Sequence, residues 1–132
     1  MGVVVVLGGV ALVMVRAWSA FAESPLRRAL PAGAADVREQ SMDLLPDHAY
    51  CLRARVDAAE LAAYAARVGM TPHTPSRRYG DDPMWLAWPG ICTAPWWDPS
   101  DDLGATWVAQ SGRVWTYAKH ENGWLYVKSI GH

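Results

Sequence analysis

Period-two alternation, two tight-turn signals and one capped amphipathic helix predict a small α+β domain. Its sheet is antiparallel: one strand, then a helix, then a C-terminal three-stranded meander. The helix is expected on one sheet face, with a long Trp/Pro-rich loop near the other. This domain spans residues 48–132, behind an apolar segment over 1–22 and a linker over 23–47. A chain of 132 residues has room for one core, and 52% apolar against 19% charged residues rules out wholesale disorder. Twelve Lys and Arg against thirteen Asp and Glu leave no basic excess for nucleic acid.

The first segment concerns targeting. Residues 2–15, GVVVVLGGVALVMV, are uninterrupted and apolar. As a helix they rise about 21 Å, short of the roughly 30 Å hydrocarbon core. That length suits the core of a signal peptide, and Ala20-Phe21-Ala22 supplies a cleavage pattern before Glu23. Against it, no Lys or Arg precedes the run and Arg16 follows it directly. The alternative is an uncleaved membrane anchor through residues 2–22. With Arg16, Arg27 and Arg28 behind it, such an anchor favours a cytoplasmic C-terminal side. A lipoprotein is not expected, because the first cysteine is Cys51, far beyond a lipid-attachment site. An extracytoplasmic protein, secreted or membrane-anchored, is the expectation.

The linker over 23–47 holds Pro25, Pro31 and Pro46 and is expected to contain at most a short helix over 36–45. Residues 48–56 then alternate as a strand. Tyr50, Leu52, Ala54 and Val56 share one face, and Cys51, Arg53 and Arg55 the other. Asp57 and Glu60 open a helix and Gly69 closes it, with Leu61, Tyr64, Ala65 and Val68 as its apolar stripe.

Asn122-Gly123 is a strong two-residue hairpin signal, and Ser111-Gly112 a weaker one. Turns of two residues set Gln110 opposite Arg113, Val108 opposite Trp115, Lys119 opposite Tyr126 and Tyr117 opposite Lys128. One face then carries Ala105, Trp107, Ala109, Val114, Thr116, Ala118, Leu125 and Val127, small enough to receive the helix. The other is aromatic and basic: Val108, Arg113, Trp115, Tyr117, Lys119, Trp124, Tyr126 and Lys128.

Between helix and meander, residues 70–103 carry six prolines and Trp85, Trp88, Trp96 and Trp97. They also hold Asp81, Asp82, Asp98, Asp101 and Asp102. A loop of this length is either functional or strongly packed. Its acidic, aromatic composition complements the basic aromatic face, so it is expected to fold over that face. A disulfide between the only cysteines, Cys51 and Cys92, would pin it there and stabilise the fold by up to roughly 4 kcal/mol.

Motifs for nucleophilic catalysis, phosphate binding and zinc binding do not occur. Asp98, Asp101 and Asp102 lack calcium-loop spacing, and His73, His120 and His132 make no zinc pattern. Neither a cofactor nor a metal is expected. The functional reading is a non-enzymatic binding or scaffold domain at the cell envelope, meeting a protein or a glycan. Its candidate binding residues are Trp96, Trp97, Trp115, Tyr117, Trp124, Tyr126, Arg113 and Lys128, because Trp and Tyr stack and Arg and Lys hold anions. The alternative is a small envelope hydrolase using Asp81, Asp82, Asp98 or His120 in a groove between loop and sheet.

Overall fold

The computed structural model describes residues 24–44, 47–73, 92–100 and 106–131. The expected signal or anchor segment lies outside these residues, as does most of the Trp/Pro-rich loop. In chain order the elements are α1 (Pro25–Arg28), β1 (Ala35–Leu44), β2 (Asp47–Arg55), a 3₁₀ turn (Ala58–Glu60) and α2 (Leu61–Val68). They continue with β3 (Thr71–His73), β4 (Thr106–Ser111), β5 (Val114–Glu121) and β6 (Trp124–Gly131). All strands join one antiparallel sheet in the order β1-β2-β6-β5-β4-β3. None of the described helices is long and apolar enough to cross a membrane.

Among the described residues the fold is therefore mostly a six-stranded antiparallel sheet with two short helices. It is not the α+β domain of one strand, one helix and a three-stranded meander. Two strands account for the difference. Residues 35–44, expected to hold at most a short helix within the linker, form β1 and pair along β2. Their sequence, ADVREQSMDL, carries few apolar residues because β1 is an edge strand with little to bury. A bulge starts it: the register slips between Ala35 and Arg38, and Asp36 takes a φ of 48°, a conformation Asp tolerates better than most residues. Short β3 forms the opposite edge, with Pro72 between Thr71 and His73, a position that edge strands permit.

The helical layer follows its caps. Asp57 accepts a hydrogen bond from the Ala59 amide at 3.2 Å. At the far end Gly69 adopts φ 77°, and the Gly69 and Met70 amides donate to Ala66 and Ala65 carbonyls, closing a Schellman motif. Tyr64 and Ala65 are fully buried against Leu52, Ala54, Val56, Ala118, Leu125 and Val127. The stretch before β1 is tied to the same layer. Leu26, Ala29 and Leu30 pack on it, the Tyr64 hydroxyl donates to the Leu26 carbonyl at 2.8 Å, and Arg67 Nε donates to the Ala29 carbonyl at 2.8 Å.

Both hairpins form. Asn122 and Gly123 have φ of 53° and 83°, as a type I′ turn requires, and Lys119 lies opposite Tyr126. The other turn centres on Gly112-Arg113, not Ser111-Gly112. Gly112 takes the positive φ at the first central position, so Gln110 faces Trp115 and Val108 faces Tyr117. That moves the pairing by two residues, an even step, and leaves the described strand residues on their expected faces, whereas Arg113, expected on the aromatic face, sits in the turn.

Candidate functional site

On the face away from α2, strand pairing lays side chains in rows across the sheet. One row runs Gln40, Cys51, Lys128, Tyr117, Val108; the next runs Arg38, Arg53, Tyr126, Lys119, Thr106. A third holds Arg55, Trp124 and Glu121. Residues 92–100 cross these rows as a strap, anchored on four consecutive strands of the sheet.

At β1, the Gln40 side-chain amide nitrogen donates to Thr93 Oγ1, and its oxygen accepts from the Thr93 and Ala94 amides, all at 3.1–3.2 Å. At β2, Cys51 forms the disulfide with Cys92, Cα atoms 6.3 Å apart across a separation of 41 residues. Arg53 Nη1, also on β2, donates to the Trp96 carbonyl at 2.9 Å. At β6, Trp97 packs on Tyr126, whose hydroxyl donates to Asp98 Oδ1 at 2.8 Å. At β5, Lys119 Nζ donates to the Ser100 carbonyl, and Glu121 accepts from the Ser100 amide and hydroxyl.

The electrostatics follow from this cover. Burial, then the hydrogen bond to Asp98 and the charge of its carboxylate, pushes the Tyr126 hydroxyl up to about 12. Burial pushes the Lys128 ammonium down to about 8, because a desolvated charge is disfavoured. For Glu121, burial acts upward, but the Ser100 donors and the Lys119 ammonium outweigh it and hold the carboxyl below the usual range.

The sequence-derived binding residues thus fall into three groups. Trp97, Tyr117, Tyr126 and Lys128 are buried, Trp97 to 7% exposure and Lys128 to 0%. Together with Cys51 and Cys92, the three aromatic residues form the core of this face. Trp96, Trp115 and Trp124 are half-buried at its margin, and Trp115 stacks on Tyr117 with planes 8° apart. Arg113 sits exposed in the turn beside Val114, which pairs with Gly131. Asp98 bonds Tyr126, which lies five residues before Gly131 along β6, about 17 Å away at strand rise. The structure does not bring Arg113 and Asp98 together.

His120 lies on the helix-side face, its Nε2 2.6 Å from the Val56 carbonyl, whereas Asp98 is on the strap side. These two candidates for hydrolase chemistry are separated by the sheet. Asp81, Asp82, Asp101, Asp102 and His132 lie outside the described residues. Among those described, no cluster of three or more His, Cys, Asp or Glu could hold a metal ion.

Sequence reasoning missed Gln40, Lys119 and Glu121 as strap anchors, and the partnership of Arg53 and Arg55 with Trp124. Both guanidiniums sit over the Trp124 indole, 3.9 Å and 4.5 Å from its centroid. Their presence on the aromatic face was legible from alternation; their convergence on one ring was not. Beside them Trp96 meets Trp97 edge to face at 6.2 Å. Trp96, Arg53, Arg55 and Trp124 make a corner where aromatic and cationic groups remain at the surface.

No family model, no curated protein and no solved structure matches this chain. The chemistry of its own residues is the ground for a functional reading.

Proposed function

We propose that this chain is a non-enzymatic domain working outside the cytoplasm, exported or tethered by residues 2–22, and that it binds an envelope protein or glycan. The disulfide supports the location, since such bonds persist in oxidising compartments, and for the tethered form it outweighs the Arg16, Arg27 and Arg28 flank that favours a cytoplasmic side. One observation carries the binding role. Two guanidiniums converge on Trp124 at a partly exposed corner beside the strap, while the centre of the aromatic face is filled by the strap. Binding therefore belongs to the corner, and Tyr117, Tyr126 and Lys128 act as the floor that holds the strap.

Cell fractionation and envelope retention test this reading. The full chain is expected in the envelope or exported fraction, and a chain starting at Glu23 in the cytoplasm. The native full chain should be retained on washed envelope material, and a Trp124→Ala/Arg55→Ala double variant should be released from it. Equal cytoplasmic solubility of both chains, or equal retention of both proteins, contradicts the proposal.

A further inference from the structure

We infer that the corner formed by Arg53, Arg55, Trp124 and Trp96 is a binding site for an acidic sugar of an envelope polysaccharide. In it, Arg53 and Arg55 take the anionic group and Trp96 takes the sugar ring. This inference rests on the binding role proposed above and narrows it to one ligand class.

The argument begins with cross-strand geometry. Arg55 lies directly opposite Trp124, and Arg53 lies diagonally from it, two residues along β2. A cation is attracted to the indole face, so the ring holds both guanidiniums at one place despite their like charge. Arg38, the cross-strand partner of Arg53, adds a third cation, itself exposed, to the same face.

Among the described residues, the acidic neighbours do not saturate this charge. Arg53 Nη1 lies 3.9 Å from Asp98 Oδ1, and Arg55 Nε lies 3.6 Å from Asp36 Oδ2. Both separations exceed hydrogen-bond length, and both aspartates are mostly exposed. Arg53 Nε is buried with no hydrogen-bond partner among the described residues. Each guanidinium carries five N–H donors in a planar fork, the shape that matches carboxylate or phosphate oxygens. The Trp124 ring is occupied by the guanidiniums, whereas half-exposed Trp96 is fixed next to them through its carbonyl on Arg53 and its edge-to-face contact with Trp97. An anion-binding fork beside an indole is the pairing that a charged sugar requires: oxygens for the fork, and a C–H face for the ring.

Calorimetric titration of the full-length chain in mild detergent, at low salt, tests the assignment. The probes are an oligogalacturonide, a phosphorylated hexose oligosaccharide, a neutral hexose oligosaccharide of the same length, and polyglutamate. Binding of either charged sugar, at least about tenfold tighter than the neutral one and than polyglutamate, is expected. The tighter of the two identifies carboxylate or phosphate as the group held. Arg55→Gln should weaken that binding about tenfold and Trp96→Ala by a similar factor, with Arg55→Gln leaving the melting temperature unchanged because Arg55 is 59% exposed at its side chain. Equal binding of the neutral sugar overturns the role of the arginines, and equal binding of polyglutamate overturns the sugar. Binding of no probe overturns the inference as a whole. Retention on envelope material, measured separately, then decides whether the broader binding role falls with it.

Discussion

The Trp97 and Tyr126 rings meet edge to face, centroids 5.3 Å apart and planes inclined by 83°. Adjacent to that contact the Tyr126 hydroxyl reaches Asp98, so three groups within two elements fix the strap to the central strand β6. Exposure of 7% for Trp97 and 3% for Tyr126 makes this a second core, on the opposite side of the sheet from the helix.

Tyr126→Ala is therefore expected to lower stability by roughly 3–5 kcal/mol, as large aromatic truncations in cores do. Denaturant melts of wild type and variant give the difference. A variant as stable as its parent would mean that the strap does not rest on Tyr126.

Gln40→Ala removes three hydrogen bonds to Thr93 and Ala94 at the strap's first anchor. These lie at the surface, so a loss of about 1–2 kcal/mol is expected in the same melts. Gln40 also stands opposite Cys51 on the neighbouring strand. Its removal should let a small dithiol reduce the Cys51–Cys92 bond faster, as followed by thiol release.

Reduction itself gives a separate expectation. Under oxidising conditions both cysteines resist alkylation, and a Cys51→Ser/Cys92→Ser variant should melt lower, by up to roughly 4 kcal/mol on the chain-entropy model. Alkylation of either thiol in native oxidised protein contradicts the pairing.

Lys128 sets a pH dependence of unusual sign. Its ammonium titrates at about 8 when folded and near the ordinary 10.5 when unfolded. Below pH 8 both states hold the proton, and the folded state carries the desolvation cost of the buried ammonium. Between 8 and 10.5 the unfolded chain binds more protons, so raising the pH stabilises the fold. Tyr126 works the other way from pH 10 upward, because its folded value is raised to about 12. Stability is thus expected to climb from pH 8 to pH 10, and Lys128→Met should flatten that climb. A wild-type profile that falls over this window counts against the assignment.

How much of this could be read from the residues depends on whether a feature was local. Period-two alternation placed Leu52, Leu125 and Val127 against the helix, and Cys51, Tyr117 and Tyr126 away from it. The Gly112 turn could shift without harm because an even register step preserves facing. The edge strand β1 was missed because Arg38, Glu39 and Gln40 carry no apolar alternation, and nothing local distinguishes an edge strand from a tether. The strap's anchors were missed for another reason. Ser100 meets Glu121 across 21 residues and Gln40 meets Thr93 across 53, contacts that only the finished sheet creates. The corner at Trp124 lay between these cases: its residues were assigned to the right face, but the convergence of two arginines on one ring needed the β2–β6 register.

The strand order has a consequence for how the protein is made. β6 lies between β2 and β5, yet it leaves the ribosome after both of its neighbours. Until Trp124 and the residues behind it emerge, the chain holds two half-sheets with bare edges at β2 and β5. Tyr126 is then missing, so the strap has no central seat. Non-local pairing of this kind folds slowly and leaves unpaired edges open to other chains. A nascent chain halted before Trp124 is expected to be protease-sensitive and prone to edge-to-edge association, and β6, made after both strands that it joins, acts as the keystone of the fold.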